Sequence, residues 1–515
     1  MKLGKANILS QLYDYYFSNP ESVAFYIQRD KKKYDVNTFE KVTYSGLLEN
    51  IMSYAHGIQL RNLGGKKIII LHPPDKEVIS LVFAMFHVGA IPVFIDPNVG
   101  LKHLKACIGN SGAEVILTSR ILMPLAVGLS GRASVRQFLT PRKIKTKETE
   151  IMDSFEKDDP SDGIAGIFYT SGSTGTPKGV VWTHHTIKGQ LALLSQLVNT
   201  GHGSVNLALF PLFLIYGPLM GGATIWPHYK LSKPIGIPPK GLLQFIKQNS
   251  IDYTFGSPVI WKNLLAYCES NDESIPNIRS ILCGGAPISS AIQEKLQKRM
   301  SSGKFHVTYG ATEALPISYS CTQEGDQMGT LLGRAFKGVK IKIEPVSTET
   351  THVPRCDHTL GEVLVKGEQV APGYLHQVPD TNQTKTYHDT GDFGYLDQDN
   401  KLWYYGRKKH AILEGEVCYY PVPIEKQVKE VLGEIACTIY ATNKKLFLIL
   451  EKRVRRSTNL SKEELIAKVN AYVSNYSYSF DELVYYPKRF PVDKRHYSKV
   501  DRIKIQQWAF KTLSK

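Results

Sequence analysis

Apolar residues in the first half of the chain follow two alternating patterns. Short, continuous apolar runs are typical of buried strands, and apolar residues three or four positions apart predict helices. The runs are 66–71, 91–95, 114–118 and 252–255. The segments with helical spacing are 77–90, 101–110 and 241–250. Because strands and helices alternate, we predict an α/β fold with layered, largely parallel sheets.

Beyond residue 360 the pattern changes twice. Around 361–366 and 387–405 it shortens to strands and turns, which predicts a small β-rich subdomain that closes the large domain. From about residue 408 strands and helices alternate again. The predicted helices are 423–432, 461–474 and 501–513, and the predicted strands are 435–441 and 445–451. We therefore divide the chain into a large N-terminal domain, 1–407, and a smaller C-terminal α+β domain, 408–515.

Composition and charge narrow the class of protein. The 515 residues are 42% hydrophobic and 21% charged, which is ordinary for a folded protein. A formal net charge of +16 attracts polyanions such as nucleic acid, anionic lipid or phosphate-rich substrates. The basic residues are spread along the chain, and we interpret the short clusters at 31–33 and 452–456 as solvated faces. We expect no nucleic-acid partner and leave peripheral membrane contact open.

The spacing of the cysteines and the apolar segments indicate the cellular compartment in which the protein is expected. The seven cysteines include no Cys-x-x-Cys pair, so neither a disulfide framework nor a zinc site is indicated. The N-terminus lacks the apolar core of a signal peptide. The most apolar stretch, 207–225, contains Pro211 and Pro218, so we predict buried strand and loop there. We expect a reduced, cytoplasmic protein without a transmembrane segment.

The clearest chemical signal is the loop YTSGSTGTPKG at 169–179, directly after the apolar segment 163–168. Its glycines let backbone amides approach a polyanion, and its hydroxyls and lysine add hydrogen-bond donors and a charge. A flexible linker explains neither its position after a strand nor the Pro-Lys pair. A P-loop NTPase requires Gly-Lys-Ser/Thr, which is missing. The expected phosphate-binding residues are Thr170, Ser171, Gly172, Ser173, Thr174, Gly175 and Lys178.

The longer string YTSGSTGTPKGVVWTH at 169–184 resembles the signature of the adenylate-forming superfamily. That superfamily includes acyl-CoA synthetases, nonribosomal peptide adenylation domains and firefly luciferase. The resemblance implies an AMP-forming ligase that uses ATP and Mg²⁺ to join a carboxylic acid to AMP and releases pyrophosphate. It also implies that the C-terminal domain is mobile, with a hinge near Lys408 or Lys409.

Further segments match the superfamily in the expected order. The segment 284–287 resembles the backbone shelf beside the adenine, and 309–313 resembles the adenine and magnesium motif. Tyr309 offers a stacking face, Thr312 a hydrogen bond to the α-phosphate, and Glu313 a hard oxygen ligand for Mg²⁺. The implied nucleotide-binding residues are Gly284, Gly285, Ala286, Pro287, Tyr309, Gly310 and Ala311. The implied metal ligands are Glu313 and Thr174.

The remaining motifs concern ribose and the reacting groups. Tyr387 and the Thr-Gly-Asp sequence at 390–392 resemble the ribose motif, in which the Asp392 carboxylate accepts hydrogen bonds from the 2′,3′-diol. Lys499 resembles the lysine that reaches into the site during adenylation; alone, it reads as an ordinary surface lysine. The implied catalytic residues are Lys499, Thr312, Glu313 and Arg407.

Several departures from the superfamily pattern bear on the acyl acceptor. Leu214 stands where many relatives carry histidine, and the hinge reads Gly-Arg-Lys-Lys-His at 406–410 instead of Gly-Arg-x-Asp. The segment 411–420 also lacks the pattern that helps acyl-CoA synthetases admit the pantetheine thiol. Whether CoA is an acceptor therefore stays open.

These departures resemble one subgroup, the olefin β-lactone synthetases of bacterial long-chain olefin biosynthesis. The similar segments are 96–102, 309–316, 406–410 and 491–496. The resemblance implies a long-chain 2-alkyl-3-hydroxy fatty acid, which is activated as acyl-AMP. Its own 3-hydroxyl then displaces AMP and closes a β-lactone. It also implies pathway enzymes of olefin biosynthesis as possible partners.

Other interpretations stay open at this point. One alternative is a fatty acyl-CoA or acyl-AMP ligase, and one from another class is a non-catalytic lipid- or polyanion-binding protein. Apolar residues within 207–220 and 255–261 fit an acyl pocket and plain core packing equally well. A general base for the 3-hydroxyl is not singled out. The histidine candidates are His184, His185, His410 and His496.

Overall fold

The computed structural model describes the chain in twelve ranges, and for Thr170 and Thr351 it describes the backbone alone. These ranges are 7–96, 99–131, 133–147, 163–170, 177–231, 233–321, 329–346, 351–377, 386–433, 435–452, 460–492 and 500–513.

Within those ranges the α-helices are α1 (Leu9–Ser18), α2 (Tyr44–Gln59), α3 (Lys76–Val88), α4 (Leu101–Ser111), α5 (Met123–Ser130), α6 (Pro141–Ile144), α7 (His184–Leu194), α8 (Phe213–Leu219), α9 (Pro239–Gln248), α10 (Pro258–Asn271), α11 (Ser290–Arg299), α12 (Pro421–Leu432), α13 (Lys462–Val473) and α14 (Arg502–Leu513).

The strands are β1 (Val23–Ile27), β2 (Glu40–Thr43), β3 (Lys67–Leu71), β4 (Ile91–Ile95), β5 (Val115–Thr118), β6 (Gln137–Leu139), β7 (Ile164–Thr170), β8 (Lys178–Thr183), β9 (Val205–Ala208), β10 (Ala223–Trp226), β11 (Ile251–Gly256), β12 (Ile278–Cys283), β13 (Lys304–Ala311), β14 (Ala314–Ser320), β15 (Thr330–Ala335), β16 (Lys340–Pro345), β17 (Thr351–Val353), β18 (Gly361–Lys366), β19 (Gly373–Tyr374), β20 (His388–Leu396), β21 (Lys401–Arg407), β22 (Ile412–Glu414), β23 (Val417–Tyr419), β24 (Cys437–Thr442), β25 (Lys445–Glu451) and β26 (Glu482–Tyr486).

A seven-stranded sheet has the order β19-β8-β7-β4-β3-β5-β6, and its central strands β7, β4, β3 and β5 are parallel. Strand β3, which lies between β4 and β5, shows why a buried strand appears in the sequence as a continuous apolar run. Ile68 and Ile70 pack into the core with α3, and Ile69 and Leu71 pack into the opposite core with α4. Since successive side chains point to opposite faces, a strand covered on both sides must be apolar throughout.

A thirteen-stranded sheet has the order β16-β18-β20-β21-β15-β14-β13-β12-β11-β9-β10-β1-β2. The strands from β1 to β13 along this order pair in parallel, and the strands from β13 to β16 pair antiparallel. The predicted β-rich unit is formed by β18, β20 and β21, which continue this sheet. Because β12 and β13 are parallel neighbours, their carboxyl ends lie side by side.

The apolar stretch 207–225 forms part of β9, the helix α8 and most of β10, so the expectation of strand and loop missed a helix. All seven residues of α8 are buried, including Pro218 inside the helix. A helix that is buried on every side lacks the apolar periodicity by which helices are recognised. Within the described residues no helix is both long enough and apolar enough to cross a membrane.

The residues after 410 carry a small sheet of their own, β24-β25-β26, whose core is completed by α12 and α13. A bidentate ion pair ties α12 to α14: Arg502 donates through Nε to Glu425 Oε1 at 2.9 Å and through a second nitrogen to Oε2 at 2.5 Å. One pairing crosses the predicted boundary after residue 407, because β17 pairs with β23.

Replacing Glu425 by Gln keeps its volume and leaves the Arg502 guanidinium buried without its counter-charge. Breaking a buried ion pair from one side costs about 3 kcal/mol, so we expect a clear fall in the midpoint of thermal unfolding. The control is Glu463→Gln, since Glu463 is exposed in the first turn of α13. Equal midpoints for the two variants would contradict the structural role of the pair.

Candidate active site

A cleft of about 2370 Å³ opens where the carboxyl ends of strands from both large sheets meet residues of the C-terminal part of the chain. It receives Tyr169 and Lys178 from the seven-stranded sheet, the segments 284–287 and 309–313 from the thirteen-stranded sheet, and Arg502 from α14. Segments far apart in sequence that carried separate motifs thus line one space.

The backbone shelf at 284–287 is built by close packing of two neighbouring strands. β12 and β13 are parallel with Cys283 opposite Val307, so Gly284 follows its strand beside Thr308. A Cβ atom on Gly284 would lie 2.9 Å from Thr308 Oγ1, and Gly285 has a φ of +89°. Both positions therefore favour glycine, which explains the Gly-Gly sequence at the floor of the cleft.

Asp392 is the polar centre of the cleft. Tyr309 donates its hydroxyl to Asp392 Oδ2 at 2.6 Å, and Arg407 Nε lies 3.1 Å from Oδ1. The antiparallel pairing of β20 and β21 places Asp392 opposite Arg407. Burial and the nearby carboxylate raise the pKa of Tyr309, and the same carboxylate raises the pKa of Arg407. Tyr309 is therefore a neutral donor and Arg407 a fixed cation at any working pH.

A second polar group surrounds Glu313. Tyr374 donates its hydroxyl to Glu313 Oε1 at 2.9 Å, and Lys178 Nζ lies 5.1 Å from the centre of the Tyr374 ring. The pairing of β19 with β8 brings Tyr374 next to the strand that Lys178 begins. Sequence reasoning missed Tyr374, because a single tyrosine after a Pro-Gly pair carries no distinctive spacing.

The donor set around Glu313 fits a magnesium ion that is held jointly with phosphate. Tyr374 engages one carboxylate oxygen, and a carboxylate has lone pairs for a further ligand. Among the described residues no three His, Cys, Asp or Glu side chains cluster as a metal cage. Mg²⁺ prefers one or two carboxylates together with substrate phosphates and water. The Glu313 carboxylate is therefore an appropriate protein ligand for such an ion.

The two strands on either side of the predicted phosphate loop pair with each other. Thr170 at the end of β7 lies opposite Lys178 at the start of β8 in an antiparallel register. Tyr169 and Lys178 line the cleft, so these strand ends border it. Other predicted site residues lie outside the described residues: Ser171, Gly172, Ser173, Thr174, Gly175, His496 and Lys499.

Of the described ribose and catalytic candidates, most lie in the cleft. Thr312 lines it, and its backbone carbonyl accepts a hydrogen bond from Trp182 Nε1 at 2.8 Å. Thr390 and Gly391 also line it. Tyr387 is 42% exposed and is not among the lining residues. Tyr309 on β13, and not Tyr387, provides the hydroxyl that contacts Asp392.

The histidines considered as a general base differ in their position relative to the cleft. His410 lines the cleft, and burial with the neighbouring charges of Arg502, Lys409 and Arg407 lowers its pKa to about 3. His184 is buried at the start of α7, where its Nδ1 accepts a hydrogen bond from the Ile8 amide, and burial lowers its pKa to about 4. Neither His184 nor His185 lines the cleft. Sequence reasoning missed three histidines that do: His72, His103 and His388.

The hinge sequence forms a short 3-10 turn, Lys408–His410, directly after β21. Both lysines line the cleft, but Lys408 also pairs with Glu362 on β18. Burial and the nearby Arg407 lower the pKa of Lys409. The two lysines thus have different surroundings, which the run of like charges in the sequence does not reveal.

Apolar side chains form one wall of the cleft, and only part of the predicted acyl-pocket segments belongs to it. Lining residues from the predicted segments are Leu209, Phe210, Leu212, Phe213, Ile215, Tyr216, Phe255 and Ile260. Leu214, Leu219 and Trp261 are fully buried and pack in the cores instead. The helix α3 adds three residues that the sequence did not single out, Val78, Ile79 and Val82.

A family model described as AMP-binding enzyme matches residues 19–375, which include the cleft residues from Ile70 to Tyr374. The chain belongs to this family. The match confirms the predicted class, an adenylate-forming ligase, and it covers more than half of the sequence.

Named relatives refine the comparison. The chain is 25% identical over 522 residues to an olefin β-lactone synthetase of Xanthomonas campestris pv. campestris, a match that covers 92% of this chain and 91% of that protein. It is 24% identical over 491 residues to a long-chain-fatty-acid–CoA ligase of Bacillus subtilis, with 85% of each chain covered. The predicted resemblance to the β-lactone subgroup is thereby confirmed.

A solved structure shows the same fold. O-succinylbenzoate coenzyme A synthetase (MenE) of Bacillus subtilis, in complex with ATP and a magnesium ion, superposes with a TM-score of 0.73 at 19% identity. The superposition covers 96% of this chain and 99% of that one. The predicted α/β fold is confirmed.

Replacing Asp392 by Asn removes the charge that holds Arg407 and weakens the acceptor for Tyr309. Hydrogen bonds to a charged group contribute about 1.5–3 kcal/mol, so we expect ATP–pyrophosphate exchange to fall at least about tenfold. Tyr309→Phe removes one donor and is expected to have a smaller effect.

Asp399→Asn is the matched control, because Asp399 is exposed in the turn that joins β20 to β21. Exchange by this variant should equal that of the unaltered protein. Undiminished exchange by Asp392→Asn would exclude Asp392 from the nucleotide site.

Proposed function

We propose that the protein activates the carboxyl group of a long-chain 2-alkyl-3-hydroxy fatty acid as acyl-AMP and then closes it to a β-lactone. The observation that carries this proposal is one cleft in which the charged centres at Asp392 and Glu313 adjoin an apolar wall from α3 and α8. A nucleotide requires the first environment and long alkyl chains require the second. The β-lactone synthetase name of similar proteins supports the choice of acid.

In this proposal ATP lies along the polar side of the cleft. The shelf 284–287 and the segment 309–311 would contact adenine, and Asp392 would accept hydrogen bonds from the ribose hydroxyls through its remaining lone pairs. Arg407 would contact ribose and phosphate, and the loop 170–178 would surround the triphosphate. Lys499 and Thr312 would stabilise charge on the α-phosphate.

Glu313 is the proposed protein ligand of Mg²⁺, with Thr174 as a second ligand from the phosphate loop. The bound ion supplies positive charge next to the phosphate oxygens. The Tyr374 hydrogen bond at 2.9 Å fixes the orientation of the Glu313 carboxylate. Tyr374 is therefore a positioning residue in this proposal.

In the first step a carboxylate oxygen of the acid attacks the α-phosphorus, and pyrophosphate leaves. In the second, the 3-hydroxyl oxygen attacks the acyl carbon, the bond from that carbon to AMP breaks, and the hydroxyl proton is lost. Holding hydroxyl and carbonyl together removes the entropy of a bimolecular encounter, an advantage of up to roughly 7–11 kcal/mol. Together with the reactivity of the acyl-phosphate anhydride, that advantage works against the strain of a four-membered ring.

We infer that His410 or His496 accepts the hydroxyl proton. His410 lines the cleft. His410 follows Arg407 by three residues and lies directly after the proposed hinge at Lys408 or Lys409. In this proposal it moves together with the C-terminal domain. We also propose that 408–515 is a mobile unit and that the enzyme acts in the cytoplasm, with olefin-pathway enzymes as possible partners.

A second candidate function is fatty acyl-CoA ligation. Similarity to the long-chain-fatty-acid–CoA ligase of Bacillus subtilis favours it, and the apolar wall suits a simple fatty acid equally well. The hinge sequence 406–410 and the buried Leu214 in place of histidine favour the lactone. Membership in an enzyme family argues against a non-catalytic binding protein.

Mass spectrometry of the products from ATP, Mg²⁺ and a synthetic 2-alkyl-3-hydroxy acid, with and without CoA, distinguishes these functions. We expect β-lactone, AMP and pyrophosphate whether or not CoA is present. A CoA thioester as the main product would contradict the lactone step and support the second candidate.

The same assay tests the proton acceptor. His410→Ala and His496→Ala are measured for lactone formation separately from pyrophosphate release. We expect one of them to slow lactone formation while pyrophosphate release continues. Unchanged lactone formation in both would remove these histidines from the mechanism.

A further inference from the structure

Four exposed apolar side chains lie on or just before α4 and α5, two helices that contact each other beside the cleft. They are Leu101 at the start of α4 and Ile121, Leu125 and Val127 before and in α5; we call this set the α5 surface. These side chains are 61%, 89%, 39% and 50% exposed, respectively. Apolar side chains exposed singly are ordinary, but a group of this kind beside a cleft is typical of an interaction site.

The sequence of α5 keeps its outer face free of charge. Residues 121–131 read ILMPLAVGLSG and contain no charged side chain. Ala126 and Leu129 are buried and share a core with Leu104 and Cys107 of α4. The inner face of α5 thus packs against α4, whereas Leu125 and Val127 are exposed.

Cations flank the apolar side chains. Lys102 and Lys105 on α4 are exposed, and so is Arg120, which directly precedes Ile121. The Lys105 ammonium lies at the C-terminal end of α5, since a Cβ atom on Gly131 would be 3.9 Å from its Nζ. Apolar side chains with flanking cations match the boundary between acyl chains and anionic headgroups.

The α5 surface also adjoins the cleft itself. Leu122, which follows the most exposed side chain, lines the cleft, and so do Val99 and His103 at the start of α4. An acyl chain that leaves a lipid layer at Ile121 would therefore reach the cleft at the next residue, Leu122. This connection rests on the proposed long-chain acid as substrate, whereas binding to lipid does not.

We propose that the α5 surface docks the protein on an anionic lipid bilayer, with Ile121 and Leu125 inserted among the acyl chains. A lipid surface is a better occupant than a second protein, because these four side chains offer only on the order of a few hundred Å², against roughly 800 Å² per partner in a stable complex. The net charge of +16 adds long-range attraction to an anionic surface.

Flotation of the full chain with vesicles tests this proposal. We expect strong binding to vesicles of phosphatidylcholine mixed with phosphatidylglycerol, weak binding to phosphatidylcholine alone, and loss of binding at high salt. Ile121→Asp/Leu125→Asp should weaken binding to the mixed vesicles at least about tenfold. Acidic residues at the start of a helix are favourable, so this variant is expected to fold.

Leu413→Asp/Phe510→Asp is the matched control, because these side chains are similarly exposed in the C-terminal part of the chain. It should bind mixed vesicles like the unaltered protein. Adenylation of a water-soluble, short-chain 3-hydroxy acid should be the same in all three proteins, which separates this inference from the proposed function. No flotation of the unaltered protein, equal loss in the control, or self-association through the α5 surface in vesicle-free sedimentation would overturn the proposal.

Discussion

The buried carboxylate of Asp392 is the constraint on which the arrangement of the cleft depends. A carboxylate removed from water must be hydrogen-bonded and paired, and here Tyr309 and Arg407 provide both interactions. Tyr309 comes from β13, Asp392 from β20 and Arg407 from β21, so one charge joins three strands. Arg407 is also the last residue before the turn that leads to the C-terminal residues. The turn at 408–410 that carries the proposed hinge thus directly follows a residue of this ion pair.

Parallel strands explain why the motifs converge. Their carboxyl ends lie at one edge of a sheet, and ligand sites in α/β folds form at such edges. The shelf at 284–287 and the segment 309–313 follow neighbouring strands of one sheet, while Lys178 begins a strand of the other. Close approach of β12 and β13 then requires glycine at 284. The convergence of these motifs on one cleft is thus a consequence of strand order.

The sequence predicts this fold well wherever an element is one-sided or short and fully apolar. The strands at 67–71 and 91–95 and the one-sided helix α4 lie within a residue of their predicted positions. α8 was missed because its burial on every side leaves no periodicity. In the site, motifs with several residues were found, whereas Tyr374, His388 and the Glu425–Arg502 pair depend on contacts between distant segments. Periodicity carries no information about such contacts.

The central claim is that an oxygen of the acid attacks the α-phosphorus of ATP. The most direct test uses acid labelled with oxygen-18 at both carboxyl oxygens and measures the mass of the released AMP by mass spectrometry. We expect AMP that carries one labelled oxygen and a β-lactone that retains the other. Unlabelled AMP, or ADP in its place, would contradict it.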